Sequence, residues 1–249
     1  MRDSKRVGLI TGAAGGIGTA VVRRWTQEGV AVVAVDTEER AAAADGGELV
    51  QWLGADLSVP ASLDGLIDQA VARWGHIDYL VNNAAVIGEV APLTEITLTI
   101  LNRVVATNLI TPILLTAAAV KHMATRGGGA VVNVASVAGL SGGVSMTGYV
   151  ASKHGLIGLT RAAARESAKA GVRVNAVCPG ATDTSMIAAI EAGISPSDPD
   201  FDRQRRQSNI PMGRYAQPSE VAAAIIWLCS DEASYMTGAC LVVDGGQLA

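Results

Sequence analysis

The fold of this chain is decided by residues 7–36, which read VGLITGAAGGIGTAVVRRWTQEGVAVVAVD. A short apolar run, a glycine-rich turn, an amphipathic segment and a second apolar run follow one another there, and this order predicts a strand, a helix and a second strand. The glycines allow a sharp turn and leave backbone N–H groups free at the start of the helix, where a phosphate could bind. The stretch therefore predicts one βαβ unit with a nucleotide site.

The two ends of this unit together predict the ligand. Gly12, Gly16 and Gly18 have the spacing Gly-x-x-x-Gly-x-Gly, and Asp36 ends the second strand, where it can accept hydrogen bonds from a ribose diol. A glycine pattern alone would indicate only a tight turn, but the strand, the helix and Asp36 around it favour a dinucleotide. No Gly-Lys-Ser/Thr follows the glycines, which excludes a P-loop.

Length and composition favour one α/β domain over residues 1–249. The chain has 49% hydrophobic and 17% charged residues and a formal net charge of −4, so nucleic acid and an anionic membrane are not expected as partners. The low charge suggests that some surface is hidden in an oligomer. No signal-peptide core follows the charged segment 1–6, and no uninterrupted apolar run is long enough to cross a membrane. We therefore expect a cytoplasmic protein.

The cysteines and histidines show no pattern typical of a disulfide framework or a metal site. Cys178, Cys229 and Cys240 are odd in number and lack Cys-x-x-Cys spacing, so we expect reduced, buried thiols. His76 and His122 are isolated and lack the paired spacing of zinc ligands. No metal is predicted.

Strand-like and helix-like runs alternate along the rest of the chain. Apolar runs predict strands at 49–53, 77–81, 130–134, 172–177 and 240–243, and helical patterns lie at 63–74, 93–126, 149–170 and 219–229. This alternation predicts a Rossmann-type, doubly wound parallel sheet of about seven strands with helices on both faces. Ligands of such sheets bind outside the carboxyl ends of the strands. The residues expected at those ends are Gly12, Asp36, Asp56, Asn82, Ser136 and Gly180.

Three positions beyond the glycine turn invite a chemical interpretation. Asp56 either accepts a hydrogen bond from an adenine amino group or caps the helix that follows it. Pro112 removes a helical hydrogen bond, so the helix should kink near Asn108 and leave a carbonyl available there. Tyr149 and Lys153 are four residues apart, so they share one helical face.

A long polar and apolar stretch precedes the last helix. Residues 181–209 contain two prolines and many charges, and a structureless loop of that length in a compact domain is usually a lid. We therefore predict a substrate lid at about residues 183–212.

The chain resembles the short-chain dehydrogenase/reductase family over essentially its whole length. The motifs that carry the resemblance are Thr11-Gly12-x-x-x-Gly16-Ile17-Gly18, Asn82-Asn83-Ala84-Ala85, Asn108, Ser136, Tyr149-x-x-x-Lys153, Pro179-Gly180-x-x-x-Thr184 and Val243-Asp244-Gly245-Gly246. Minor departures are Ala85, where glycine is usual, and Thr182, where an aliphatic residue is common. Neither should cost activity.

The resemblance implies a role for each catalytic residue. Tyr149 would be the general acid and base, Ser136 would hold the substrate oxygen, Lys153 would bind the nicotinamide ribose, and Asn108 would maintain a proton relay through water. The ammonium of Lys153 and the positive nicotinamide ring should both depress the pKa of the Tyr149 phenol. The implied cofactor contacts are Gly12, Gly15, Gly16, Ile17, Gly18, Asp36, Asp56, Leu57, Asn83, Ala84, Tyr149, Lys153, Pro179, Gly180, Thr182 and Thr184.

The resemblance also implies a homotetramer. Small residues lie near one face of the helix after Val150, namely Ala151, Gly155, Gly158 and Ala162. Close packing would explain them, since glycine is costly inside a helix. The packing partner is either a second subunit or a neighbouring element of the same chain.

The expected cofactor is NAD. The carboxylate of Asp36 would accept both ribose hydroxyls of NAD but repel the 2′-phosphate of NADP. Neither Ala14 nor Gly15 supplies the basic group that a phosphate requires.

Two other functions can be weighed against an oxidoreductase. Gly139-Leu140-Ser141-Gly142-Gly143 matches the serine hydrolase motif Gly-x-Ser-x-Gly, but no acid lies between Ser141 and the one later histidine, His154. His154 should point about 100° away from the Tyr149 face. A protein that only senses nucleotides is disfavoured because it would not need Ser136, Tyr149 and Lys153 together.

The substrate is the least determined part of the prediction. The expected pocket wall is apolar and comprises Val86, Ile87, Val137, Leu140, Val144, Met146, Met186 and Ile187. It favours a neutral or weakly polar secondary alcohol, such as a cyclic alcohol or a dihydrodiol. Arg203, Arg205 and Arg206 in the predicted lid either form a solvated face or bind an anionic substrate. The alternative function is therefore reduction of a 3-oxoacyl thioester of acyl carrier protein or CoA.

Overall fold

The computed structural model describes residues 5–63, 65–195 and 197–249. Most of the charged segment 1–6, and residue 196 of the predicted lid, lie outside the described residues. The strands are β1 (Val7–Thr11), β2 (Ala31–Asp36), β3 (Val50–Gly54), β4 (Tyr79–Asn82), β5 (Gly129–Val134), β6 (Val172–Pro179) and β7 (Cys240–Val243). The helices are α1 (Gly16–Gln27), α2 (Glu38–Ala42), α3 (Leu66–Trp74), α4 (Leu98–Val105), α5 (Thr111–Ala124), α6 (Thr147–Ser167), α7 (Ser185–Ile194), α8 (Pro199–Ser208) and α9 (Pro218–Cys229).

The strands form one parallel sheet in the order β3-β2-β1-β4-β5-β6-β7 within the described residues. The order reverses between β1 and β4, since the chain adds strands on one side of β1 first and then on the other. Such a switch point opens a crevice at the carboxyl ends of the strands. The predicted doubly wound sheet with helices on both faces is therefore confirmed.

The core lies on both faces of this sheet. Alternate residues of one strand point to opposite faces, so Leu9 joins the cluster under α3 and α5 while Ile10 joins the cluster under α1 and α9. Because both faces are buried, the strands read as nearly continuous apolar runs. The sheet is thus a rigid base that presents its carboxyl edge to ligands.

Two predicted elements can be compared with the structure. The helix expected at 93–126 begins at Leu98 as α4, and a π-helical turn at Ala106–Ile110, which contains Asn108, interrupts it where the sequence predicts a kink. A helix carrying Pro112 near its start accommodates the lost hydrogen bond by widening there. The lid expected as a structureless loop instead contains α7 and α8, so that part of the prediction is wrong.

One helical stretch among the described residues, Leu98–Ala124, is long and apolar enough to cross a membrane by length and composition. Its inner face packs against the sheet through Leu115, Ala119 and Met123, and core helices pass the same test. The stretch is interrupted by Arg103 and Asn108. The absence of a membrane partner stays a prediction.

Candidate active site

The carboxyl ends of the strands border a crevice of about 1290 Å³. This volume exceeds that of an ordinary drug-sized pocket and leaves room for a dinucleotide together with a substrate. The predicted site residues that line the crevice are Gly12, Gly15, Gly16, Ile17, Asp36, Asp56, Leu57, Asn83, Ala84, Ser136, Tyr149, Lys153, Pro179, Gly180, Thr182 and Thr184. The structure thus brings together most of the residues that sequence reasoning selected.

The glycine turn is closely packed against its surroundings. Gly12 has φ +65°, and a Cβ there would lie 2.8 Å from the Cα of Ala84. A Cβ on Gly16 would lie 2.7 Å from Cγ2 of Thr184, across the crevice. A side chain at Gly12 would therefore strain the backbone, and a side chain at Gly16 would fill the space between the start of α1 and Thr184, which we call the cradle.

Gly18 differs from the other glycines, because it does not line the crevice. A Cβ on Gly18 would lie 2.1 Å from the carbonyl oxygen of Gly12. The residue is therefore needed for the close approach of α1 to the glycine turn, and its contact with the cofactor stays a prediction.

The start of α1 is suited to an anion. Gly15 is the residue before the helix, and no side chain among the described residues caps it. The first N–H groups of an α-helix have no partner within the helix and carry a partial positive charge. Together with the cradle at Gly16, these groups fit the pyrophosphate of a dinucleotide.

Asp36 is held by the backbone at the end of β2. Its carboxylate accepts hydrogen bonds from the N–H of Ala14 and the N–H of Thr37, both at 2.9 Å. These bonds fix one carboxylate at the crevice wall, where lone pairs remain for a ribose diol.

Arg40 was missed by sequence reasoning. It lies one helical turn beyond Asp36, its guanidinium is 3.9 Å from the Asp36 carboxylate, and it lines the same crevice. The signal in the sequence was the i,i+4 spacing of an acid and a base at the start of α2. Ala14 and Gly15 supply no basic group, as the sequence shows, but Arg40 places one beside Asp36.

Asp56 shapes a turn and does not cap the helix that follows it. Its Oδ1 accepts hydrogen bonds from the N–H of Ser58 at 2.9 Å and the hydroxyl of Ser58 at 2.7 Å, whereas Gly65 precedes α3 with no side-chain cap among the described residues. These bonds lower the pKa of Asp56 below its ordinary value. The residue also lines the crevice, and its contact with an adenine amino group stays a prediction.

Asn83 ties the glycine turn to β4. Its side-chain amide donates to the carbonyl oxygens of Thr11 at 2.9 Å and Gly12 at 3.0 Å. The N–H groups of Asn83 and Ala84 both donate to the hydroxyl of Thr11 at 3.1 Å. The two strand ends are therefore locked in register beneath the site for the ligand.

Tyr149 and Lys153 project from the first turns of α6 towards the end of β5, as their spacing predicts. The Nζ of Lys153 is 5.5 Å from the centre of the Tyr149 ring and donates to the carbonyl oxygen of Val134 at 2.7 Å. Only 2% of Lys153 is exposed. Ser136, two residues beyond Val134, accepts a hydrogen bond from the N–H of Ala138 at 3.1 Å and faces the phenol of Tyr149.

Burial dominates the pKa values of this pair. Burial raises the pKa of Tyr149, and the hydrogen bond with Ser136 offsets only part of that rise. Burial also lowers the pKa of Lys153 to about 8. In the protein by itself, desolvation of the phenolate therefore shifts the phenol pKa in the direction opposite to the one expected from the sequence. That expectation included the positive nicotinamide ring, and for the site with cofactor it stays a prediction.

Asn108 lies behind the catalytic pair and not on the crevice wall. Its side chain exchanges two hydrogen bonds of 2.8 Å with the backbone of Val86 and donates to Ser152 at 3.1 Å. Ser152 in turn donates to the carbonyl oxygen of Tyr149 at 2.7 Å. The π-helical turn thus joins α6 to the loop after β4 through one fully buried amide.

The residues after β6 form the opposite wall. Gly180 donates its N–H to the carbonyl oxygen of Val243 at 2.9 Å. The hydroxyl of Thr182 turns back to the carbonyl oxygen of Gly180, and that of Thr184 to the carbonyl oxygen of Thr182, both at 3.2 Å. These hydrogen bonds hold three small residues, Gly180, Thr182 and Thr184, on the crevice wall.

Ser141 and His154, the residues that suggested a serine hydrolase, form side-chain hydrogen bonds only with nearby backbone atoms in the described part of the chain. The hydroxyl of Ser141 donates to the carbonyl oxygen of Val137 at 3.0 Å, and Nδ1 of the exposed His154 is 3.0 Å from the carbonyl oxygen of Val150. Neither contact belongs to a hydrolase triad. Among the described residues, no three His, Cys, Asp or Glu side chains form a group that could hold a metal.

The thiols are free, and two of the three are buried. Cys178 and Cys229 are buried and Cys240 is partly exposed. Burial raises the pKa of both Cys178 and Cys229 to about 12, so these two thiols are not nucleophilic at neutral pH.

The chain is similar to proteins of known activity along its whole length. A family model described as Enoyl-(Acyl carrier protein) reductase matches residues 12–247. A cis-4-hydroxycyclohexanecarboxylate dehydrogenase from Sinomonas cyclohexanicum is 40% identical over 251 residues, which cover 99% of this chain and 98% of that protein.

Two solved structures are similar to this one. The crystal structure of levodione reductase matches with a TM-score of 0.93 and 35% identity, covering 98% of both chains. A 3-ketoacyl-(acyl-carrier-protein) reductase from Brucella melitensis, solved in complex with NADH, matches with a TM-score of 0.89 and 30% identity, covering 99% of both chains.

Proposed function

Because this chain belongs to the short-chain dehydrogenase/reductase family, we propose that it uses NAD to interconvert a secondary alcohol and a ketone. The observation that carries the proposal is the convergence of Ser136, Tyr149 and Lys153 on a crevice whose other end is a glycine turn with Asp36 beside it. The residues that would transfer the proton and the residues that would bind the dinucleotide line the same cavity. Hydride transfer requires this, because the substrate carbon must lie next to the nicotinamide ring.

The catalytic residues would act on the proton of the alcohol. A nicotinamide cofactor held by the glycine turn and Asp36 would supply the acceptor for the hydride of the carbinol carbon. Ser136 holds the substrate oxygen by a hydrogen bond, and Tyr149 removes the hydroxyl proton as the C–O bond becomes a carbonyl. Lys153 keeps a positive charge near the Tyr149 ring, 5.5 Å from its centre, and so favours the phenolate. In the reverse direction Tyr149 returns the proton.

NAD is the proposed cofactor because of Asp36. Its carboxylate is held by two backbone N–H groups, so it cannot easily turn away from a 2′-phosphate and would repel it. The nearby Arg40 is 60% exposed and 3.9 Å from the carboxylate, which permits residual use of NADP. We therefore propose a preference for NAD and not an absolute selection.

A cyclic secondary alcohol is the proposed substrate. The crevice is walled beside Tyr149 by apolar side chains that include Ile87, Met146, Ile187 and Ile190. A shape of this kind favours a compact apolar ring, and the similar dehydrogenase named for cis-4-hydroxycyclohexanecarboxylate supports it. The second candidate is reduction of a 3-oxoacyl thioester, supported by the similar structure of a 3-ketoacyl-(acyl-carrier-protein) reductase.

A homotetramer in the cytoplasm is also proposed. Apolar side chains are exposed on one surface of α5, where Ile113 and Leu114 lie, and near β7, at Val242. On α6, a Cβ on Gly155 would contact Leu109 of the same chain at 2.8 Å, whereas Gly158 faces open space that a second subunit could fill. The free cysteines are compatible with a reducing compartment.

The first test is reduction of NAD and of NADP by the purified protein at mildly alkaline pH. The panel contains cyclic alcohols, dihydrodiols, steroid alcohols and 3-hydroxyacyl thioesters. We expect kcat/KM to be highest for NAD with one class of cyclic alcohol. A clear preference for the thioesters would select the second candidate, and cofactor binding without turnover of any compound would favour a nucleotide sensor.

A further inference from the structure

Three charged residues of α8 are not used by the mechanism above. Asp202 is fully buried, yet it lies between two arginines on the same helix. Arg206 donates through Nε to Oδ2 of Asp202 at 2.6 Å, and Arg205 donates through Nη2 to Oδ1. Although burial raises it, these hydrogen bonds lower the pKa of Asp202 below its ordinary value, so the carboxylate is ionised at neutral pH.

Within the part of the chain that the structure describes, the cluster keeps one positive charge and several N–H donors without an acceptor. The guanidinium groups of Arg205 and Arg206 share the carboxylate of Asp202. Each guanidinium donates one of its five N–H groups to that carboxylate. Arg205 and Arg206 both line the crevice, together with Ile190, Ile194 and Asn209. Donors and one uncompensated charge are therefore presented to the cavity that holds Tyr149.

Arg203 on the same helix shows the opposite arrangement. It pairs with Asp183 at 2.8 Å and lies 3.9 Å from a Glu191 oxygen, and its guanidinium stacks 4.9 Å from the centre of the Tyr215 ring. Two acids surround one base, so its charge is satisfied within the lid segment. An arginine on α8 can thus be held by acidic side chains of its own segment, as Arg203 is. The position of Arg205 and Arg206 at the crevice is therefore not a requirement of helix packing.

We propose that Arg205 and Arg206 bind a carboxylate carried by the substrate, on the part of the molecule remote from the carbinol. The inference rests on the proposed function, since it names the substrate class of that same site. A carboxylate matches the cluster because its single negative charge balances the single surplus charge, and its two oxygens accept from a planar guanidinium. Asp202 is then a positioning residue that holds both arginines towards the cavity.

The burial of the Arg206 side chain should strengthen its attraction for a substrate carboxylate. Its side chain is only 24% exposed, against 55% for Arg205, so salt screens its attraction less than that of a surface charge. We therefore expect Arg206 to contribute more than Arg205.

The test compares a hydroxycyclohexanecarboxylate with its carboxamide, an uncharged analogue of nearly the same shape. We expect wild-type kcat/KM for the acid to exceed that for the amide about 10- to 100-fold, mainly through KM, because a hydrogen bond to a charged group is lost. Arg206→Gln should bring the ratio close to one, and Arg205→Gln should reduce it less. Arg203→Gln removes the same charge from the same helix and should leave the ratio unchanged.

A binding measurement separates this inference from the proposed function. We expect cyclohexanecarboxylate, which cannot react, to raise the Tm of the wild-type protein with NAD more than cyclohexanecarboxamide does, and Arg206→Gln to abolish the difference. Equal oxidation of acid and amide by the wild type would overturn the inference and leave the proposed function intact. An Arg206-dependent Tm shift without turnover of any alcohol would support the carboxylate site and overturn the proposed function.

Discussion

The catalytic floor and the lid segment are stabilised by different kinds of contact. The floor, which we define as β5 and the start of α6 with Ser136, Tyr149 and Lys153, is held by bonds to backbone atoms, such as that from Lys153 to Val134. The lid segment, residues 183–212, is held by pairs of charged and aromatic side chains, including Arg203 with Asp183 and Tyr215 with Glu191.

This difference separates chemistry from selectivity. The position of a strand carbonyl is set by the sheet and cannot be altered by exchanging a side chain. The fold therefore fixes the positions of the groups that transfer the proton. Side-chain pairs on α7 and α8 can be exchanged with little effect on the sheet. We therefore expect changes in the floor to lower kcat, and changes in the lid segment to alter KM and substrate preference.

The largest effect is expected from Ser136→Ala in the floor. Loss of the hydroxyl removes the hydrogen bond to the substrate oxygen, which should lower kcat about 10²- to 10³-fold. The dissociation constant of NAD, measured by quenching of protein fluorescence, should stay within twofold. Ser141→Ala is the matched control, because among the described residues that hydroxyl, which also lines the crevice, donates a hydrogen bond only to Val137 in its own turn. Equal losses in both variants would contradict the role of Ser136.

A smaller effect is expected from Asp36→Ala at the far end of the crevice. The variant loses the acceptor for the ribose diol and the charge that repels a 2′-phosphate, while Arg40 remains nearby. The ratio of kcat/KM for NAD to that for NADP should fall about 10- to 100-fold, as expected for a lost hydrogen bond to a charged group. An unchanged ratio would remove the assignment of cofactor selection to Asp36.

The comparison is sharpened by Tyr215→Phe, at a residue just after the lid segment that bonds to Glu191 within it. The Tyr215 hydroxyl donates to the buried Glu191 at 2.7 Å, so its removal leaves an under-satisfied carboxylate and should lower the free energy of unfolding by about 1 to 3 kcal/mol. KM should rise while kcat stays nearly constant. Tyr235→Phe, at a fully exposed tyrosine, should change neither quantity. A fall in kcat without a change in KM would show that floor and lid segment are not separable.

The smallest effect concerns pH. Burial lowers the pKa of Lys153 to about 8 from its ordinary value of 10.5. Between these values the unfolded chain binds more protons than the folded one, so this group makes the folded state more stable as pH rises. From pH 7.5 to 9.5 the free energy of unfolding of the wild type, relative to Lys153→Met, should increase by about 1 to 2 kcal/mol.

Urea unfolding at the two pH values measures this difference. The Tyr149 phenol, whose pKa is raised by burial, opposes the trend only above pH 10, outside the range chosen. A relative stability that falls with pH would mean that Lys153 is stabilised as the cation in the folded protein.

Much of the fold and of the crevice could be predicted because local patterns and global topology agree. The glycine turn follows the first strand of one βαβ unit, and Asp36 ends the second strand of the same unit. Because the sheet is parallel, Ser136 and Gly180 must lie at the same edge as these residues. The spacing of Tyr149 and Lys153 predicts a shared helical face without any distant contact, but their catalytic roles were inferred only from the resemblance to the family.

The lid segment was predicted less well, although part of the signal was present. Ile187, Ile190 and Ile194 have helical spacing, and Asp198 before Pro199 is a helix-start pattern that the structure shows at α8. Charges and prolines obscured both helices. The pKa of Tyr149 could not be predicted, because desolvation depends on burial by residues distant in sequence.

The most direct test of the central claim is kcat for NAD reduction by Tyr149→Phe, measured beside its affinity for NAD. The phenyl ring keeps the packing of α6 but cannot take a proton. We expect NAD binding within twofold of the wild type and a kcat lower by at least about 10²-fold, the range for a lost general base. A variant that turns over a secondary alcohol at the wild-type rate would contradict the account.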